Sequence, residues 1–449
     1  MKFEQVSDYL NLQYVEGFLR TNLSLLAILT SFIIISVATG QFSNYDSQLE
    51  YTATTSIIKT GLPYLETGNL INQPPLGFYI GALFLKCFGE SYSAAVNLAT
   101  VFGFACIILV YKIGKLLYGK STGLLASALF ALTPWHIVLS RSFLIDVQCL
   151  FLSLLYLLAG LLAIKKNSTR LFLVSGVIFG AAFLTKAFAV FMLVPLVLFY
   201  FYSGKLNLKR LSLWIGFFVP VLVFVFLWYQ IISSQGFFAV FSHDDFNFTF
   251  SGVVPSMFFV INYLLGILGV FFLVAGVVSL LVSFLRRKNL GDIFVFDLIC
   301  LATIVFVVGV NMFLALGMNL VCPYTNPIKY DYQSLPLICL LVASLINKFY
   351  SFRHSAISTG SKGDNSVRFI VIFGFVLIIL SLIQQILILN YYSLRDVVYF
   401  AMDSVTCYSF DNLAANGQLS FVLQGVGFII LCLGILWIFK NGQKALDKH

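Results

Sequence analysis

The sequence predicts an all-α fold: a polytopic integral membrane helical bundle of about twelve transmembrane helices with a large first outer loop that carries interfacial helices. Composition is the first reason. Of 449 residues 60% are apolar and 10% charged, with a mean hydropathy of +0.97, whereas soluble domains carry about 25% charged residues. The second is the recurrence of apolar runs near the ~20 residues that a helix needs to cross hydrocarbon. The third is the side on which the basic residues fall.

Cutting the chain at its polar intervals gives runs at 22–40, 91–111, 122–140, 147–164, 171–185, 187–203, 211–232, 257–284, 293–316, 332–347, 369–390 and 419–439. With both termini cytoplasmic, 21 of the 27 Lys and Arg residues lie inside. The outside keeps Lys59, Lys86, Arg141, Lys186, Lys329 and Arg395 beside 11 of the 18 carboxylates. The two sides then carry −5 outside and +14 inside, as the positive-inside rule requires. The net charge of +9 is therefore topological and gives no reason to invoke nucleic acid. The six outer cations run against the trend and call for another explanation. The expected location is the cell membrane, multi-pass, with the active side outward.

The short apolar run Leu76 to Phe88 is read as an interfacial or re-entrant helix rather than a span, because counting it would invert every later loop. Residues 1–21 form an amphipathic lead with Val6, Leu10, Tyr14 and Phe18 on one side. No small-residue cleavage pattern follows the first run, so it is expected to stay as an anchor. Most of the eight cysteines lie within spans as small apolar residues. Cys322 and Cys407 share the outer side, which leaves a disulfide between them open.

The polar interval Gly40 to Tyr79 organises the chain. Asp46 to Lys59 reads as a helix on the membrane surface, broken by Gly61 and Pro63. Asp46 and Glu50 are four apart and share a face. Such a pair can bind a divalent cation or supply a general base and a group that tunes it. Alternatively, the two acids simply favour the N-terminal end of a helix dipole. Pro74-Pro75 forces an extended lead into the Leu76 helix.

Later charges return to the same side. Ser140-Arg141 and Asp146 flank a span boundary, where an ion pair or a functional role would explain their burial cost. Lys186 interrupts an apolar run, and there a lysine either snorkels to headgroups or meets an anion. Lys329-Tyr330 precedes the tenth run, as an interfacial anchor or as a second cation with a phenol. His243-Asp244-Asp245 reads as a solvated loop, because three adjacent residues do not converge on one ion, and Asn247-Phe248-Thr249 matches a glycosylation sequon. Walker, HExxH, CxxC and GxSxG patterns do not occur, which argues against ATP-driven transport by this chain alone.

Four stretches together resemble the GT-C membrane glycosyltransferases, in the group of protein O-mannosyltransferases and lipid A aminoarabinose transferases. They are Asp46 with Gly61 and Pro74-Pro75-Leu76; Ser140-Arg141 with Leu144-Ile145-Asp146; Leu184-Thr185-Lys186; and Lys329-Tyr330 through Leu335-Pro336. The resemblance covers about residues 20–350. It divides the chain into a GT-C-like transmembrane catalytic module, 1–350, and C-terminal transmembrane helices with a small outer loop, 351–449. Two positions depart from the pattern: Ser47 stands where the group has a second acid, and Gln73 where it often has Lys.

The resemblance implies transfer of a sugar from a polyprenyl-phosphate donor to a hydroxyl of a lipid, glycan or protein acceptor, with inversion. Asp46 is then the base, with Glu50 in support. Arg141, Lys186, Lys329 and Tyr330 are the donor-phosphate candidates, and Asp146, Gln73 and Tyr79 bind or orient the sugar. Some relatives use a divalent metal, and the absent second acid tilts this chain toward none. Two rivals stand beside this reading. A secondary transporter would need an internal six-span repeat with ionisable residues near the midplane, which the sequence does not display. A polymerase or ligase using polyprenyl-diphosphate donors would call for a loop richer in Arg.

Overall fold

A computed structural model describes the backbone of residues 12–43, 45–71, 73–203, 211–232, 292–317 and 331–358, with Ile383 and Ile386 in isolation. The predicted spans 257–284 and 419–439, the loops 233–256 and 391–420, and Cys322 and Cys407 lie outside the described residues. So do most of the predicted span 369–390 and the site candidates Lys329 and Tyr330.

Among the described residues the regular structure is helical. In chain order the helices are α1 Leu12–Thr39, α2 Tyr45–Thr60, α3 Leu76–Phe88, α4 Tyr92–Tyr118, α5 Lys120–Leu132, α6 Pro134–Ser140 and α7 Ile145–Lys166. There follow α8 Thr169–Thr185, a 3-10 turn at Ala187–Met192, α9 Leu193–Tyr202, α10 Leu211–Ile232 and α11 Asp292–Gly317. A second 3-10 turn, Tyr332–Ser334, leads into α12, Leu335–Ser358.

Tyr92–Tyr118, Ile145–Lys166 and Asp292–Val310 are each long and apolar enough to cross a membrane. The pair α5 and α6, bent by 64°, qualifies as a fourth span, and shorter apolar helices surround them. The chain is a multi-pass membrane protein. One predicted run, 122–140, is thus broken, and the cause is local. Thr133 takes extended backbone and Pro134 opens the next helix, where its missing N–H costs nothing.

Helix ends follow side-chain chemistry. Ser91 accepts from Ala94 N at 3.1 Å to start α4, and Ser168 accepts from Leu171 N at 3.4 Å to start α8. Between α7 and α8, Asn167 takes the left-handed conformation at φ 52°. The loop after α2 turns at Gly61, φ 83°, a region that L side chains rarely enter.

The core joins α1, α4, α5, α6, α7, α8 and α12 around Phe32, Phe130, Trp135, Tyr156 and Leu340, all 1% exposed or less. Helices α7 and α8 form the most extensive pair, α5 packs between α4 and α12, and α2 lies against α3. Close approach depends on small residues. A Cβ on Gly123 would stand 2.6 Å from Lys115 N and 2.7 Å from Tyr111 O, which are backbone atoms and cannot rotate away.

Gly123→Ala should therefore force α4 and α5 apart and cost about 1–3 kcal/mol. Thermal unfolding in detergent checks this through a lowered midpoint; an unchanged midpoint would mean the two helices do not meet at that glycine.

Candidate active site

One end of the bundle gathers five of the residues that the sequence singles out: Asp46, Glu50, Arg141, Asp146 and Lys186. The chain leaves α1 at Gly40 and starts α2 at Tyr45, and this short segment is bonded to the junction between α6 and α7. Arg141 Nε donates to Gly40 O at 2.6 Å, and Phe42 N donates to Arg141 O at 2.9 Å. Farther along, Ile145 N donates to Glu50 Oε2 at 2.8 Å. Leu144, the residue before α7, has no side chain able to cap it. A carboxylate 95 residues earlier supplies the cap and sits where the helix dipole favours negative charge.

Glu50 is 1% exposed. Asp46 lies one turn before it, half-buried in the first turn of α2. Ser47, at the position of the expected second acid, faces inward and accepts from Tyr92 Oη at 2.9 Å. The face of α2 that carries Asp46 and Glu50 therefore points toward the start of α7.

Asp146 is the next residue of that turn, and its Oδ2 accepts from Lys186 Nζ at 2.7 Å. The two side chains are 4% and 9% exposed. Lys186 is the single extended residue between α8 and the Ala187–Met192 turn, φ −161° and ψ 138°. Its backbone stays anchored by Lys186 N to Ala182 O at 3.0 Å, and its ammonium lies 5.8 Å from the centre of the Phe188 ring. Asp146 thus holds Lys186 and not Arg141, although the sequence spacing suggested the latter.

Arg141 is 8% exposed. Besides Gly40, its NH1 group donates to Thr100 Oγ1 at 3.3 Å, and among the described residues it makes no ion pair. Burial lowers its pKa from the ordinary value, which still leaves an arginine charged at neutral pH. Among the described residues three of its five N–H donors have no partner, and a guanidinium so placed suits a ligand such as a phosphate.

Two other candidates lie on the segment that leads into and forms α3. Gln73 is half-buried just before Pro74, with Oε1 unpartnered among the described residues. Tyr79 faces outward from α3, opposite the glycine face that packs on Ile145 and Thr54, and its hydroxyl donates to Gly61 O at 2.8 Å. Its position ties it to the loop after α2 and does not bring it to the Asp146–Lys186 pair.

Sequence reasoning missed several neighbours. His136 Nδ1 lies 2.7 Å from Tyr332 Oη inside the core, with the imidazole packed on Phe130 and Phe32. Cys149 and Gln333 meet beneath the ion pair, where Gln333 Nε2 donates to Cys149 Sγ at 3.5 Å. A histidine inside an apolar run, one of only four in the chain, was the available signal for the first. Nothing in the spacing pointed to the second. Among the described residues no three His, Cys, Asp or Glu side chains form a metal-holding group, and Glu50 Oε2 already accepts a backbone N–H.

Among the described residues the protein is a helical membrane bundle, and that fold sets its class. The chain has the fold of the GT-C membrane glycosyltransferases, as the four sequence stretches suggested. ArnT from Cupriavidus metallidurans in the apo state superposes with a TM-score of 0.56 at 13% identity, over 92% of this chain and 77% of that one. AglB from Archaeoglobus fulgidus, in complex with an inhibitory peptide and a dolichol-phosphate, gives 0.53 at 14% identity, over 85% and 56%. Within that class, residues 72–229 match the family of dolichyl-phosphate-mannose-protein mannosyltransferases. Among curated proteins, Bacillus subtilis YycA, named as a candidate mannosyltransferase, is 28% identical over 141 residues. Those residues are 31% of this chain and 21% of YycA, so the match spans about a fifth of that relative.

Lys186→Met should leave Asp146 as an uncompensated buried carboxylate and cost about 3–5 kcal/mol, whereas Lys186→Met combined with Asp146→Asn should recover most of it. The order of the thermal midpoints tests the pair. A double variant no more stable than the single one would show that the two charges do not depend on each other.

Proposed function

We propose that the protein is a membrane glycosyltransferase that moves a sugar from a polyprenyl-phosphate donor to an acceptor hydroxyl, with inversion at the anomeric carbon. The observation that carries this reading is the junction itself. Three hydrogen bonds join the segment holding Asp46 and Glu50 to the segment holding Arg141 and Asp146, with Lys186 paired alongside. A carboxylate base and two cations are what such a transfer requires. The names of the similar proteins point the same way. ArnT was also solved bound to undecaprenyl phosphate, and that structure superposes with a TM-score of 0.55 at 14% identity, over 92% of this chain and 77% of that one.

In the proposed reaction the acceptor oxygen attacks C1 from the face opposite the phosphate, and its proton passes to the Asp46 carboxylate. The new C1–O bond forms as the C1–O bond to phosphate breaks. Polyprenyl phosphate leaves with the electron pair. Its growing charge needs cations already in place, a role given to Arg141, Lys186 and Lys329, with the Tyr330 phenol as a further phosphate-binding donor. Lys186 would exchange its bond with Asp146 for one with the phosphate, or share both. Glu50 supports Asp46 by fixing α2 against α7, and Asp146 and Gln73 orient the sugar; Tyr79 would act from the loop side. The chemistry is assigned without a metal.

This reading keeps twelve spans with both termini cytoplasmic, the reaction on the outer face, and a catalytic module over 1–350 followed by C-terminal helices over 351–449. The acceptor is a lipid, glycan or protein hydroxyl. Bundles of this class act on membrane-bound donors, and the charge distribution of the chain supports the orientation.

Purified protein in detergent should release polyprenyl phosphate from a radiolabelled polyprenyl-phosphate hexose. Asp46→Asn should reduce that rate by about 10²–10⁴-fold at an unchanged thermal midpoint, the usual range for removing a general base. Release by the variant at the native rate would remove Asp46 from the chemistry, and no release by the native protein from any of several such donors would defeat the reading.

A further inference from the structure

Gln333 is firmly placed, and among the described residues its carboxamide is only partly satisfied. It occupies the middle of the 3-10 turn Tyr332–Ser334, immediately before α12. Both neighbours are fastened. Tyr332 Oη is 2.7 Å from His136 Nδ1, and Ser334 Oγ donates to Asp331 O at 2.7 Å. The backbone at Gln333 is thus held from two sides.

Its carboxamide is not. The residue is 3% exposed, and its Oε1 has no partner among the described residues. Among the described residues its Nε2 donates only to Cys149 Sγ, at 3.5 Å, and a thiol is a weak acceptor. A buried polar atom without a partner costs about 1–3 kcal/mol, so a folded chain keeps one where something else completes it.

The surroundings say what that partner would be near. Cys149 lies three residues after Asp146 on α7, on adjoining faces of one helix turn. The same Sγ is 3.6 Å from the carbonyl of Lys186. Through Cys149 the carboxamide is therefore linked to the helix turn that carries Asp146 and to the backbone of Lys186. A carboxamide offers an acceptor and donors side by side, which complements a hydroxyl or two vicinal hydroxyls of a pyranose.

We propose that Gln333 is a specificity-determining residue that hydrogen-bonds a ring hydroxyl of the donor's sugar. The proposal rests on the glycosyl-transfer reading above. It adds a means by which the site tells one hexose from another: Asp46 acts on the acceptor hydroxyl and the cations on the phosphate common to all donors, whereas Gln333, together with the sugar-orienting Asp146 and Gln73, reads a hydroxyl that differs between them.

The test compares release of polyprenyl phosphate from a polyprenyl-phosphate hexose and from its 2-, 3-, 4- and 6-deoxy analogues, for the native protein and for Gln333→Met, which keeps side-chain length and loses the amide. The native protein should lose about 10–100-fold in kcat/KM on at least one deoxy donor. Gln333→Met should bring the parent hexose down to that level and abolish discrimination at the same position. If Gln333→Met does not fold, Gln333→Asn, with the amide withdrawn by one methylene, should show a partial version of the same loss. A variant that slows every donor by one factor and keeps the native discrimination would overturn the proposal and leave a packing role. Release from none of the donors by the native protein would overturn both the glycosyl-transfer reading and the proposal, whereas release with intact discrimination in the variant overturns the proposal alone.

Discussion

The hydrogen bond from Ile145 N to Glu50 Oε2 is the constraint on which the site depends. Without it the start of α7 would lack a cap, and α2 would lack its deepest attachment to the bundle. Together with the two backbone-level bonds of Arg141, it fixes a loop segment to a helix junction about a hundred residues away in sequence. Loop segments seldom hold catalytic geometry unless something rigid fastens them. Here the fastening is a buried carboxylate and a buried guanidinium, each engaged by backbone groups.

Charge placement explains why these residues tolerate burial. A lone ionised side chain within a bilayer is expensive, and those that persist are paired or aimed at a cavity. Asp146 and Lys186 are paired within 2.7 Å. Arg141 satisfies two donors on Gly40 and Thr100 and, among the described residues, keeps three. At the far end of the bundle a second pair, Lys348 and Asp297, joins α12 to α11, with the carboxylate buried and the lysine 38% exposed. That pair stands among helix-packing contacts, away from the first loop and its acids. The two pairs differ in place: the first adjoins the helix start that Glu50 caps, and the second joins two helices at the opposite end of the bundle.

Much of this was legible in the sequence. Lys186 stood out as a cation inside an apolar run, and it occupies the one extended residue between two helices. The α2 helix and the Leu76–Phe88 helix followed from Gly61, Pro63 and Pro74-Pro75. The break within 122–140 was signalled by Pro134 but not read, because the run stayed apolar on both sides of it. The partner of Asp146 could not be read at all. Forty residues separate it from Lys186, and only the packing of α7 on α8 brings the two together. Arg141, five residues away, was the nearer guess, and its side chain turns instead to Gly40. Gln333 was hidden for another reason: a neutral residue beside a conspicuous Lys-Tyr pair carries no charge pattern, and its significance lies in a missing partner.

The central claim is that the donor's phosphate is received at the Lys186 end of the bundle. Its most direct test is the affinity of polyprenyl phosphate for the native protein, for Lys186→Met and for Lys348→Met, each in the same detergent. A charge-assisted bond to phosphate is worth about 1.5–3 kcal/mol, so Lys186→Met should weaken binding by about 10–100-fold while Lys348→Met leaves it unchanged. Native affinity in Lys186→Met, with the loss appearing in Lys348→Met instead, would contradict the account and move the lipid phosphate to the opposite end of the bundle.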